Sequence, residues 1–84
     1  MNQFEVYILF SSSLKKFYTG STENLEKRVQ YHNLGGVKFT STGIPWKLVW
    51  HKSCNTRAEA VQLENKVKKR GAKRFLLDLG FIDG

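Results

Sequence analysis

Residues Val6–Gly20, VYILFSSSLKKFYTG, constrain the fold more than any other stretch. Two runs rich in β-branched and aromatic residues, Val6–Phe10 and Phe17–Ser21, flank a polar turn over Ser11–Lys16. That pattern predicts an antiparallel hairpin, with Tyr7 on one strand and Tyr18 on the other sharing a neighbourhood. Gly20 permits close backbone approach just before the chain enters a helix. A two-stranded hairpin is marginal alone and needs a further strand or a helix to cover it.

The rest of the chain supplies those covers. Phe4, Val6, Ile8 and Phe10 alternate with Glu5, Tyr7 and Leu9, so the first strand is expected to bury one face and half-cover the other. Thr22 or Asn24 can cap a helix over Leu25–Leu34, whose inward stripe includes Leu25 and Val29. Arg28 and His32, four apart, are expected on a neighbouring face beside the exposed end of the sheet. Gly35-Gly36 ends this helix, and Val37–Pro45 reads as a loop. WKLVWH, Trp46–His51, reads as a third strand with Trp46, Leu48 and Trp50 on one face. Cys54 reads as a small buried hydrophobe, since no base is spaced to activate it. Thr56 and Glu59 form a capping box for a second helix, with Ala60, Leu63 and Val67 inward and Glu64 at the edge of the buried face. Gly71 breaks that helix, and Lys73–Leu79 forms a last one, with Phe81-Ile82 closing the core. The expected architecture is an α/β (α+β) domain: a small three-stranded antiparallel sheet flanked by helices. One domain, residues 1–84, accounts for the whole sequence.

Charge narrows the function. Fourteen Lys and Arg against seven Asp and Glu leave a net charge of +7, which favours a polyanionic partner. Lys66, Lys68, Lys69, Arg70, Lys73 and Arg74 lie within one nine-residue run that holds no acidic residue. A single Cys excludes an internal disulfide framework, and no paired Cys/His spacing suggests structural zinc. The amino-terminal residues resemble neither a signal peptide nor a membrane span, so the expected compartment is the cytoplasm.

Six polar side chains are not easily spent on structure: Tyr7, Tyr18, Arg28, His32, Lys38 and Glu64. Together they offer a base, a cation for phosphate and a carboxylate for a metal. Phosphodiester hydrolysis requires an activated water, charge stabilisation at phosphorus and neutralisation of the leaving oxygen. Arg suits the second role because its planar fork holds two phosphate oxygens and stays charged. One carboxylate can hold Mg²⁺ if phosphate and water complete the shell.

These residues also carry a family resemblance. Val6-Tyr7 and Tyr18–Gly20 resemble the two halves of the GIY-YIG signature. TENLEKRVQYHN, Thr22–Asn33, resembles the following turn and helix, with its Arg and, four residues later, its His. Lys38-Phe39-Thr40 resembles the Lys-aromatic-Thr loop, Pro45–Val49 the third strand, and AVQLENKVKK, Ala60–Lys69, the helix bearing the metal-binding glutamate. The likeness runs from about Gln3 to Leu77 and is strongest to the small stand-alone bacterial endonuclease-like members of the GIY-YIG nuclease superfamily. Glu5 stands where the first motif often has Gly, and Thr19 replaces the central Ile of the second. Both departures leave the matched polar side chains in place.

The resemblance implies metal-dependent phosphodiester hydrolysis of nucleic acid, DNA in the first place, weakly sequence-specific or structure-directed and suited to repair or recombination. It matches Tyr7, Tyr18, Arg28, His32 and Glu64 to catalytic positions and Gly20 to the structural glycine. Glu64 would hold one Mg²⁺ or Mn²⁺, Arg28 would neutralise the scissile phosphate, and Tyr18 would bond the phosphate or the water. Tyr7 is the expected base, with His32 its rival. Lys38 and the Lys66–Arg74 run would grip the backbone, with salt-sensitive and weakly specific binding. The alternative is a module that binds nucleic acid but cuts poorly, or a nuclease subunit whose substrate is chosen by a protein partner. A monomer is sufficient for any of these.

Overall fold

The computed structural model describes residues 3–82. The domain span read from sequence also includes Met1, Asn2, Asp83 and Gly84, which lie outside the described residues. Three strands, β1 (Phe4–Ser11), β2 (Lys16–Thr22) and β3 (Trp46–Cys54), form one antiparallel sheet in the order β2-β1-β3. Between the second and third lie helix α1 (Leu25–Asn33) and a short 3-10 helix, Lys38–Gly43, within the stretch expected to be loop. Helices α2 (Arg57–Arg70) and α3 (Ala72–Asp78) follow. Because β1 is central, its alternating side chains feed two separate cores.

On one face Val6 and Ile8 join Trp50, Cys54, Ala60, Val67 and Leu76, under α2 and α3. On the other, Tyr7, Leu9 and Trp46 pack with Tyr18, Leu25, Val29 and Leu48, under α1. Leu76 is 0% exposed, so its truncation to alanine would cost about 2–5 kcal/mol. Losses of that size are large against the whole stability of a small domain.

The sheet corrects one expectation. Simple alternation put Trp46, Leu48 and Trp50 on one face. Ile8 pairs with Trp50 but Leu9 pairs with Leu48, so Val49 is the extra residue of a β-bulge. The bulge reverses the alternation: Trp50 enters the Val6 core, while Trp46 and Leu48 enter the Tyr7 core.

A second correction concerns α1. Its cap is Asn24, whose Oδ1 accepts the Lys27 N–H at 3.1 Å, a contact worth about 1 kcal/mol. Leu25 and Val29 do point inward, but His32 follows them on the same stripe, at i+7 from Leu25. His32 is therefore fully buried rather than beside an exposed sheet end, and Arg28 alone keeps the outer position. The capping box of α2 forms as expected, Thr56 Oγ1 accepting the Glu59 N–H at 3.1 Å. Gly71, at φ 91°, ends α2 in a conformation that L side chains rarely adopt and lets α3 begin at once.

Candidate functional site

Tyr7 stands at the centre of the polar residues. Its hydroxyl lies 3.1 Å from His32 Nε2, and His32 Nδ1 lies 2.8 Å from Thr40 Oγ1. The direction of this chain follows from its far end. Thr40 Oγ1 is 3.2 Å from the Val37 carbonyl, which can only accept, so the single Thr hydroxyl proton is donated there. Thr40 then accepts from His32 Nδ1–H, and Nε2 is left to accept the Tyr7 O–H. Thr40 is itself pinned, since its carbonyl accepts the Trp46 indole N–H at 2.7 Å. Asn33 clamps the start of β3 by accepting from Trp46 N at 2.6 Å and donating to Trp46 O at 3.0 Å.

Burial sets the protonation states. It pushes the Tyr7 phenol up to about 12, with a smaller push from Tyr18, while the adjacent Arg28 guanidinium pulls the other way. Burial also lowers His32, and Arg28 adds to that effect, so the imidazole is held neutral. Tyr7 and His32 are each 0% exposed. Tyr18 is half-buried, its ring centroid 4.8 Å from that of His32 and 6.4 Å from that of Tyr7.

Gly20 pairs with Tyr7 across β1 and β2. A Cβ at position 20 would stand 2.5 Å from the Tyr7 hydroxyl oxygen, so only glycine lets the phenol lie over β2.

Glu64 reaches the same region from α2. Its Oε1 accepts the Ser21 hydroxyl at 2.7 Å, and its Oε2 pairs with Lys68 Nζ at 2.7 Å. The carboxylate is 19% exposed and close enough to oppose ionisation of Tyr7. Arg28, exposed on α1, borders a small polar recess with Ser21 and Arg57. Tyr7, Arg28 and Glu64 thus converge from β1, α1 and α2. Among the described residues no group of three or more His, Cys, Asp or Glu side chains could hold a metal ion. The donor set fits an ion that takes one protein carboxylate and draws its other ligands from phosphate and water.

The basic residues divide. Lys68, Arg70, Lys73 and Arg74 line a groove of about 640 Å³ along the outer edge of β2, opposite Phe17, Tyr18 and Phe39. Arg70 is also held by Asp78, donating at 2.8 and 3.1 Å. Lys66 instead borders a separate recess beside Trp50 and Phe75. Lys69 and Lys38 are exposed, the latter opening the 3-10 helix. Within α2 the helical period separates Lys66 from Lys68, since neighbouring positions point about 100° apart, and the break at Gly71 sets the direction of Lys73 and Arg74 independently. Ser21, Phe39, Thr40 and Arg57 are polar or aromatic members of the site that their own sequence context did not single out. Phe39 and Thr40 had a signal in the resemblance of Lys38-Phe39-Thr40 to the Lys-aromatic-Thr loop; Ser21 and Arg57 had none.

Comparison with known proteins gives a consistent result. The GIY-YIG catalytic domain matches residues 3–76. A UPF0213 protein of Haloquadratum walsbyi is 35% identical over 83 residues, covering 95% of this chain and 93% of that one. Another, from Syntrophus aciditrophicus, is 41% identical over 71 residues, covering 82% and 80%. The solution NMR structure of a UPF0213 protein from Bacillus halodurans is 31% identical, with a TM-score of 0.57 over 92% of this chain and 84% of that one.

Proposed function

This chain belongs to the GIY-YIG family, and we propose that it binds nucleic acid, DNA in the first place, at a site arranged for phosphodiester hydrolysis. The observation that carries the reading is that the Tyr7 hydroxyl bonded to His32, the Glu64 carboxylate bonded to Ser21, and Arg28 beside Ser21 come from separate elements into one region. Binding rests on charge: the basic groove and Arg28 meet the backbone without reading its sequence. Among the described residues no helix is long and apolar enough to cross a membrane. A cytoplasmic monomer would suffice.

In hydrolysis, water attacks phosphorus, the bond to the 3′ oxygen breaks, and a 3′ hydroxyl and a 5′ phosphate result. Arg28 holds nonbridging oxygens and offsets the charge that develops there. Tyr7 at about 12 does not act as a standing phenolate at neutral pH. It accepts the water proton only as its own proton passes to His32 Nε2, while Thr40 holds Nδ1–H and keeps that acceptor free. Tyr7 and His32 are then two links of one base. Glu64 would hold a Mg²⁺ or Mn²⁺ ion, which when bound would neutralise the leaving oxygen.

A second reading has its own support. Glu64 is already engaged by Ser21 and Lys68, and Tyr7 has no exposed surface. Those contacts favour a module that grips nucleic acid and cuts poorly, or cuts when a partner protein opens the site.

The test is cleavage of a mixed panel of labelled DNA and RNA structures with Mg²⁺ and separately Mn²⁺, beside folded Glu64→Gln and Arg28→Ala. Metal-dependent cutting lost in both variants supports hydrolysis. Salt-sensitive binding without cutting supports the second reading. Neither binding nor cutting overturns both.

A further inference from the structure

The groove along β2 has a chemistry that backbone contact alone does not need. One wall is aromatic, with Phe39 81% exposed and its ring centroid 6.3 Å from that of Tyr18. The opposite wall is cationic: Gly71 turns the chain sharply enough that Lys73 and Arg74 at the start of α3 join Lys68 from α2. A polyanion's backbone is satisfied by the cationic wall. The outward-facing phenylalanine has nothing to contribute to a phosphate, and an exposed aromatic ring sharing a groove with cations matches a nucleobase attached to a bound phosphate. In an intact duplex, base faces are covered by their stacked neighbours and cannot reach such a ring.

We propose, building on the nucleic-acid reading above, that Phe39 is a stacking platform for an unpaired base, so that this groove admits a strand only where it is single-stranded or splayed open. Tyr18 joins the groove to the Tyr7–His32 chain, and Lys68 joins it to Glu64. The unpaired nucleotide is thereby placed on the side of the β2 edge from which Tyr18 and Lys68 lead to the Tyr7–His32 chain and to Glu64. Phe39 is a specificity-determining residue here and takes no part in proton transfer.

The experiment compares three labelled probes at one fixed salt concentration: a short oligo-dT strand, an abasic strand of equal length and charge, and a blunt duplex. Oligo-dT should bind most tightly. Phe39→Ala should weaken it five-fold or more and leave the abasic strand unchanged, whereas Phe39→Trp should retain it. Phe39 is exposed, so matched melting curves are expected for all three proteins. Equal affinity for oligo-dT and the abasic strand, or equal weakening of both by Phe39→Ala, overturns the stacking role and leaves nucleic-acid binding intact. Competition by poly-Glu as effective as that by oligo-dT shows a groove open to any polyanion, acidic peptides included, and also overturns it. Binding of none of the probes overturns the nucleic-acid reading itself.

Discussion

Gly20 lies so close to Tyr7 that a methyl group at position 20 would meet the phenol at 2.5 Å from its oxygen and 2.8 Å from Cζ. The contact couples the second half-motif to the first, because Tyr7 reaches His32 only if the backbone of β2 leaves that volume empty. Gly20→Ala should therefore destabilise the domain by about 1–3 kcal/mol, the usual cost of overpacking a filled site. The urea midpoint should fall at unchanged slope. The His32 imidazole NMR resonances should shift as the Tyr7 hydroxyl leaves Nε2. A stable variant with unshifted resonances would contradict this close coupling.

His32 makes stability depend on pH. Its folded pKa is lowered by burial and by Arg28, against an ordinary value of about 6.5 in the unfolded chain. Between those two values the unfolded chain holds a proton that the folded chain does not. Stability is full above about 6.5, falls as pH drops below it, and levels off once the folded value is passed. His32→Gln should remove that part of the slope, read as urea midpoints at successive pH values. An unchanged slope would mean that His32 titrates alike in both states.

Lys68 competes for the carboxylate that would take a divalent ion. Its ammonium pairs with Glu64 Oε2 at 2.7 Å, yet its side chain is 53% exposed, so the pair is worth little by itself. Lys68→Met should raise Mn²⁺ affinity by up to about five-fold, the range that a weak surface pair allows. Glu64→Gln should abolish binding. Electron paramagnetic resonance of free Mn²⁺ reads both directly, with no dependence on cleavage.

Several parts of this arrangement were legible in the chain because they are local. The hairpin follows from two apolar runs around a polar turn, the cap at Thr56 from its box with Glu59, and the cap of α1 to within Thr22 or Asn24. Glu64 stood out because it breaks into the stripe of Ala60 and Val67. What escaped is nonlocal. The bulge at Val49 is a property of pairing between β1 and β3, and no period within β3 announces it. His32 looked polar and therefore outward, but Tyr7 and Thr40 meet both ring nitrogens and make its burial tolerable. Phe39 was legible as the aromatic of the Lys38-Phe39-Thr40 loop, but the cations that share its groove come from α2 and α3, far along the chain.

The divided basic run gives the last prediction. A uniform cluster would make every lysine in it equivalent toward nucleic acid. Here Lys73 lines the groove beside Tyr18, whereas Lys66 borders the recess by Trp50. Each phosphate contact releases condensed counterions and adds to the slope of log K against log salt, by about 0.9 for duplex and about 0.7 for a single strand. Lys73→Ala should reduce the slope for a single strand by about that amount and weaken binding alike across sequences. Lys66→Ala should leave the slope within error of the parent. Titrations at several salt concentrations distinguish the two. Equal losses at both positions would mean that the nucleic-acid backbone also reaches the recess by Trp50 and is not confined to the edge of β2.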